Sequence, residues 1–313
     1  MDADKNKSIM VIGSSNFDIN LTVRDIPVLG ETVLSSGMET GFGGKGANQA
    51  FTIAKIGGKV DYFTCIGDDV FGNLYREEFR KNNFNMDYIK VIKNKSNGIA
   101  VINIDENGRN TIVVYPGSSR SLTPEIIKEN LEMVLSHTII MTQLEIPVET
   151  AEYIAQKKTG KNIFILNPSP VDKNYDYSQL LKNVDILMPN EVELSQLVNI
   201  EIKEIQDVRE ASAKLIAAGI KNMVVTLGNK GVFIKNSSIE QYIPALDVKV
   251  VDTAGAGDAF AGAFMFDYSK TLDIVKAANF ANKVATISVT RPGTHKSVPT
   301  RDEIEQMADF FKE

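Results

Sequence analysis

The sequence predicts a three-layer α/β domain with a mostly parallel central sheet and a small β-sheet lid. Three patterns lead there. Short β-branched runs alternate with helical stretches along most of the chain. Several of those runs are apolar at every position instead of every second one, as expected of strands covered on both faces. Two segments, 16–42 and 97–116, break the alternation with short extended pieces and turns. The expected division is an α/β body of residues 1–15, 43–96 and 117–313, with a lid of residues 16–42 and 97–116.

In chain order, strands are expected at Ile9–Ile12, Val60–Cys65, Thr138–Thr142, Asn162–Leu166, Asp185–Met188 and Asn222–Thr226, with more short strands after Thr226. Apolar residues at helical spacing predict helices over Ala47–Ile56, Gly72–Asn82, Pro124–Leu135, Val148–Lys158, Val192–Val198 and Val208–Ala218. A long helical region follows from Ala254 to about Ser288. Within the lid, Asn16–Phe42 is punctuated by Pro27, Gly30 and Gly37. Gly98–Ile104 and Asn110–Tyr115 form a hairpin pattern whose turn carries Asn107-Gly108. The first hairpin strand, 99–104, is apolar at nearly every position, so one face is expected to cover a ligand and the other to be buried by a second subunit.

The composition is that of a globular enzyme: 313 residues, 43% hydrophobic and 24% charged. Such a chain can build its core without disulfide or metal staples. The net charge of −6 is spread along the chain with no basic stripe, which argues against a nucleic-acid partner. The single cysteine, Cys65, lies in the apolar run Tyr62–Ile66 and is expected to be a small buried hydrophobe. One cysteine cannot form an intramolecular disulfide, which suits a reducing compartment. The charged start, Met1 to Lys7, leads into about five apolar residues, too few for a signal peptide. No apolar run approaches the ~20 residues that cross a bilayer, so a cytoplasmic protein without a membrane partner is expected.

The sharpest chemical segment is Asp252-Thr253-Ala254-Gly255-Ala256-Gly257-Asp258, after a strand and before the helical pattern of Phe260, Ala263 and Phe264. Glycines let backbone approach a ligand, and a helix N-terminus offers free N–H groups. Gly255, Ala256 and Gly257 therefore suit an anion hole for a transferring phosphoryl group. A carboxylate there would repel phosphate unless it had work of its own, and a general base accepting a sugar hydroxyl's proton is such work. Asp also caps helices, but two acids and two glycines in a strand-turn-helix setting favour catalysis by Asp258.

A second segment, Gly41-Phe42-Gly43-Gly44-Lys45-Gly46-Ala47-Asn48-Gln49, contains a formal G-x-G-x-x-G. A dinucleotide site needs a buried strand before it and an acid near the end of the next strand. Here the preceding 33–40 are polar and Asp61 opens the next strand, so a nicotinamide enzyme is disfavoured; no Walker motif occurs either. A Gly-Gly turn opening a helix, presenting Lys45 and Asn48 to a polyhydroxylated ligand, fits better than a plain helix entry with a solvated lysine. Ligands of open α/β sheets sit beyond the carboxyl ends of the strands. There the sequence places Asn16 and Asp18, Gln143 and Glu145, Asn167, Asn190 and Glu193, and Thr226 with Gly228. Asn190 and Glu193, three apart at a helix start, could hold a hydrated Mg²⁺ or simply form a capping box.

These blocks resemble the ribokinase (PfkB) family of carbohydrate kinases, nearly end to end. The likeness runs through Gly13–Asp18, Gly43–Ala50, Gln143-Leu144-Glu145, Leu166–Pro170, Asn190 with Glu193, Thr226–Gly228, Asp252–Asp258 and Val289–Pro299. The resemblance implies a Rossmann-like fold with a β lid, and phosphorylation of D-ribose at its 5-hydroxyl by ATP with Asp258 as base. It places Asn16, Asp18, Gly44, Lys45, Asn48 and Glu145 around the sugar. It places Asn190, Thr226, Gly228, Gly231, Gly257 and Asn282 around the nucleotide, position 282 being one where relatives often carry histidine. Asn190 and Glu193 fit a motif tied to Mg²⁺ through water. Asp252, Ala254, Ser288, Arg291, Gly293 and Ser297 match the positions of a K⁺ site beside the anion hole, and a homodimer through the lids is implied.

Rival expectations are kinases for 2-deoxyribose, fructose or a nucleoside, and a non-catalytic sugar or nucleotide sensor. His137, at a helix-to-strand junction, is expected to be structural, and His295 to be a solvated loop residue.

Overall fold

The computed structural model describes residues 7–306, so the charged start at residues 1–6 lies outside the described part. One sheet is nine-stranded. Its strands are β1 (Ile9–Ile12), β4 (Asp61–Gly67), β5 (Ile89–Ile92), β8 (Ile139–Thr142), β9 (Ile163–Leu166), β10 (Ile186–Leu187), β11 (Asn222–Thr226), β12 (Gly231–Asn236) and β13 (Glu240–Pro244). The order is β13-β12-β11-β10-β9-β8-β1-β4-β5, parallel from β11 to β5, with β12 antiparallel to both its neighbours. The second sheet holds β2 (Asn16–Thr22), β3 (Gly37–Gly43), β6 (Gly98–Ile104) and β7 (Asn110–Tyr115) in the order β3-β2-β6-β7.

The continuous apolar runs are explained by two cores. Ile9, Val11, Tyr62, Ile139, Met141 and Val224 pack on one face of the large sheet, and Met10, Ile12, Phe63, Ile140, Phe164 and Val225 on the other. Successive strand side chains point to opposite faces, so a strand buried on both sides must be apolar throughout. The first face is covered by helices α1 (Lys45–Lys55), α2 (Val70–Lys81), α9 (Ala256–Thr271) and α10 (Ile274–Ser288). The second is covered by α3 (Pro124–Glu129), α4 (Leu131–Leu135), α5 (Val148–Lys157), α6 (Ser178–Leu181), α7 (Glu191–Val198) and α8 (Ile205–Ala217). A last helix, α11, spans Arg301–Gln306. Cys65 is fully buried.

Several expectations need correcting. The single helix expected over Pro124–Leu135 is two, divided at Asn130, whose φ of −118° leaves the helical range. The long region from Ala254 divides at Leu272, which adopts a left-handed φ of 50°, and Asp273 then caps α10 by accepting from Val275 N and Lys276 N. The exposed apolar strand of the small sheet is β7, where Ile112 and Val113 are 57% and 69% exposed. β6, the expected strand, pairs edge to edge with β2 and β7, and its side chains are mostly half-buried. Gly41 and Gly43, by contrast, lie on β3, antiparallel to β2, which agrees with the disfavoured dinucleotide reading.

Where the two sheets meet, polar side chains bind backbone. The buried Tyr75 hydroxyl of α2 donates to the carbonyls of Gly43 and Asn16, the latter 3.2 Å away. Asn97, fully buried, donates from Nδ2 to Ser15 O at 2.9 Å and to Gly98 O at 3.0 Å.

Candidate active site

The strand order reverses around β1, since the chain runs from β1 to β4 on one side and from β8 onward on the other. That crevice, beyond the strands' carboxyl ends, is where ligands of open α/β sheets bind. Helix α1 starts there because glycines let it in. A Cβ on Gly46 would stand 2.6 Å from Gly13 Cα, and Gly44 takes a φ of 85°. Side chains from β2, from the segments just after β1 and β8, and from the first turns of α1 and α9 converge at this point.

Asp258 lies in the first turn of α9 and is 7% exposed. It does not cap its own helix, which begins at Gly255 (φ 73°) without a side-chain cap. Its Oδ2 accepts from Asn48 Nδ2 at 2.8 Å and its Oδ1 from Gln49 Nε2 at 3.1 Å. The N–H groups of Gly255 and Gly257 at the start of α9 are thus left to a ligand, Ala256 N being spent on Thr253 O at 3.2 Å, and the space in front of Gly257 is open.

Glu145, past β8, accepts from the Ser14 hydroxyl and, at 2.9 Å, from Lys45 N, the first amide of α1. Asp18, on β2, has no donor among the described residues. Its carboxyl is pushed up to about 7, by burial first and then by the Glu145 and Asp258 carboxylates. Gly43 makes room for it, since a Cβ there would lie 2.0 Å from Asp18 Oδ2. Burial lowers the Lys45 pKa, but Asp258, Glu145 and Glu193 outweigh it and hold the ammonium above its usual value. The amide oxygens of Asn16 and Asn48 are buried without a hydrogen-bond donor. Two idle acceptors beside two carboxylates and an ammonium suit a ligand rich in hydroxyl groups.

Asn190 and Glu193 form a complete capping box on α7. Asn190 Oδ1 accepts from Glu193 N at 2.8 Å, and Glu193 Oε2 from Asn190 N at 2.9 Å. Burial raises the Glu193 pKa, and Lys45 and Asp258 are among the charges it senses, so this box borders the same crevice. With those two oxygens committed to backbone, the pair fits a hydrated ion better than one bonded directly. Thr226 bridges to Asn190, Gly228 is exposed in the turn after β11, and Gly231 starts β12. Asn282 spends its amide on Pro244 O, at 2.9 Å, so its side chain fastens the end of β13 to α10.

The loops at 252–255 and 290–297 are stapled by Asp252, whose oxygens accept from Ala254 N at 2.9 Å and Gly293 N at 2.8 Å. Ser288 Oγ and Ser297 Oγ donate to Ala285 O and Thr294 O, and Arg291 pairs with Glu303. The staple clusters Asp252, Ala254 and Gly293, and Asp252 N donates to Val289 O next to Ser288, while Ser297 and Arg291 hold contacts of their own.

A family model of pfkB family carbohydrate kinases matches residues 6–301. This chain belongs to that family. A deoxyribokinase of Salmonella typhi is 35% identical over 97% of this chain and 98% of its own length. A ribokinase of Haemophilus influenzae is 32% identical over 95% and 97%. The solved structure of Arabidopsis thaliana ribokinase complexed with ribose and ATP aligns at a TM-score of 0.87, with 31% identity, over 96% of this chain and 98% of that one. The chain is thus a carbohydrate kinase with the ribokinase-like fold. Among the described residues, no helix is long and apolar enough to cross a membrane.

Two features of this pfkB kinase escaped the sequence. Gln49 reaches Asp258; the signal was a second consecutive amide beside Asn48 at a helix start. His295 is half-buried instead of solvated: its ring lies 4.5 Å from that of Phe51 and its Nε2 is buried without a partner. Burial, helped by the charge of Lys55, depresses its pKa to about 3. His137 is structural, bonding Asp61 at 2.9 Å and Met133 O at 3.0 Å.

Proposed function

We propose that this chain transfers the γ-phosphate of ATP to the 5-hydroxyl of D-ribose, with Asp258 as general base. One observation carries the reading: the Asp258 carboxylate is turned away from the free N–H groups of its own helix and held by α1 at the mouth of the crevice. A base and an anion hole side by side are what in-line phosphoryl transfer needs. Asn16, Asp18, Gly44, Lys45, Asn48 and Glu145 surround the sugar. Its hydroxyls donate to the carboxylates and to the idle oxygens of Asn16 and Asn48. The Lys45 ammonium offsets the negative charge gathered there, and the turn Gly255-Ala256-Gly257 meets the phosphoryl oxygens with the amides of Gly255 and Gly257, that of Ala256 being held by Thr253 O.

The nucleotide lies along Asn190, Thr226, Gly228 and Gly231, with Asn282 acting on the adenine side through the backbone it holds. Mg²⁺ neutralises phosphate charge and is held through water by Asn190 and Glu193. K⁺ rests in the cluster stapled by Asp252 and fixes the turn without touching substrate. The segments 16–42 and 97–116 act as the lid of the α/β body. A second copy of the chain covers the exposed β7 edge, because unpaired apolar edge strands invite pairing. The protein works in the cytoplasm.

A second acceptor, 2-deoxyribose, is favoured by the deoxyribokinase likeness; the buried, unpaired Asn16 oxygen favours the ligand with more hydroxyls. The test is ADP release with ATP, Mg²⁺ and K⁺, comparing D-ribose, 2-deoxyribose, fructose and adenosine. Stimulation chiefly by ribose is expected, and preference for another acceptor overturns the ribose assignment. Binding of sugar and ATP without ADP release would mean a sensor. Asp258→Asn should keep sugar binding and lower kcat by ~10²–10⁴; near-normal turnover refutes the base.

A further inference from the structure

Gln49 is fully buried on α1, and every hydrogen-bonding atom of its amide is engaged. The two Nε2 hydrogens go to Asp258 Oδ1 at 3.1 Å and to Asn167 Oδ1 at 3.2 Å. Its Oε1 accepts from Gln143 Nε2. Gln143 follows β8 and is itself fully buried. Asn167 follows β9 and is held through its own Nδ2 by Met188 O, 2.9 Å away at the end of β10. Exchanging oxygen and nitrogen in the Gln49 amide would set oxygen against two acceptor oxygens, so the network admits one orientation.

We propose that Gln49 is a positioning residue that fixes the catalytic rotamer of Asp258, using the ends of β8 and β9 as its reference. This rests on the reading of Asp258 as the base. Oδ1 is bound to an amide with no exposure at all, whereas the Asn48 amide bound to Oδ2 borders the crevice. Oδ2 is therefore the oxygen that takes the proton from the attacking hydroxyl, and Oδ1 is the one that is anchored. Free rotation of the carboxylate would spoil the alignment with the hydroxyl, where displacements near 1 Å are costly. Asp18, Lys45, Glu145 and Glu193 set the charge around Asp258; Gln49 is neutral and sets its direction.

The test uses Gln49→Leu and, in case that buried change unfolds the protein, Gln49→Met, which is neutral, keeps the length of the side chain and removes the donor. Each is made in the wild type and in Asp258→Asn, with kcat and both KM values measured on protein shown to be folded by thermal melting. Positioning predicts a kcat loss of about 10- to 100-fold in the wild type with both KM values within about threefold. In the Asp258→Asn background the same change lowers the residual rate by less than about twofold, since there is no base left to orient. An equal loss in both backgrounds, or wild-type kcat in both Gln49 variants, overturns the assignment of Gln49 while leaving Asp258 untouched. Near-normal turnover of Asp258→Asn alone is a different failure, that of the base itself.

Discussion

Asp18→Asn isolates the cost of burying a carboxylate in the crevice and, after that, of setting it beside two others. The Asp18 carboxyl is raised from 3.8 to about 7 in the folded protein. Its protonated form is therefore favoured by folding, and ionisation works against the fold. The penalty is absent below the unfolded pKa, opens between pH 4 and 7, and is constant above the folded pKa. At 1.36 kcal/mol per unit, the full difference is about 4 kcal/mol. Asp18 is only partly buried, so screening reduces the expectation to roughly 2 kcal/mol. For a chain of this length that is about 3 °C in melting temperature. Without ligand, Asp18→Asn should melt with the wild type near pH 4 and about 3 °C above it at pH 8, while binding sugar more weakly. A gap that does not change with pH, or a variant less stable at pH 8, would refute the electrostatic account.

Other outcomes follow from single contacts. Gly46→Ala puts a methyl group 2.6 Å from Gly13 Cα, a clash with backbone; a loss of about 2–3 kcal/mol in denaturant melts is expected, with a fall in kcat because Asn48 and Gln49 ride on α1. His295 has a depressed folded pKa of about 3, so its contribution holds above pH 6.5 and is lost as pH falls. His295→Leu should thus match or exceed the wild type at pH 7.5 and gain on it by roughly 2 kcal/mol at pH 5 in paired melts. Val113→Lys charges the exposed β7 edge and should turn a dimer into a monomer by light scattering with little change in melting temperature; a wild type that is already monomeric removes the dimer reading.

Much of the fold was written locally. The bounds of β1 and β11 coincide with the expected runs, because both are short, have apolar centres and are preceded by a polar residue, Ser8 or Lys221. β10 shrinks to Ile186–Leu187 because the Asp185 carboxylate is used sideways, accepting from Phe164 N at 2.8 Å and pairing with Lys158 and Lys221. β5 went unseen, since a four-residue run containing Lys90 carries no signal of its own until β4 pairs with it. In the crevice, residues that share a contiguous block, such as Gly44 to Asn48, were legible. The amide chain was not: Gln49 meets Gln143 across 94 residues and Asn167 across 118, distances only the sheet order closes. His295 was misjudged because its polar neighbours suggest water, whereas α1 brings Phe51 to it.

Tyr75 and Asn97 attach the small sheet to the large one through main-chain carbonyls, those of Asn16, Gly43, Ser15 and Gly98. A carbonyl is present whatever residue carries it, so these fastenings are blind to the side chains they hold. Side chains along β2, β3 and β6 can be exchanged without rewriting the attachment, save at Gly43 and Gly98, where a Cβ would meet Asp18 and Asn16. Part of the recognition, that by Asn16 and Asp18, can thereby drift with the small sheet, while Gly44, Lys45, Asn48 and Glu145 keep the rest beside Asp258.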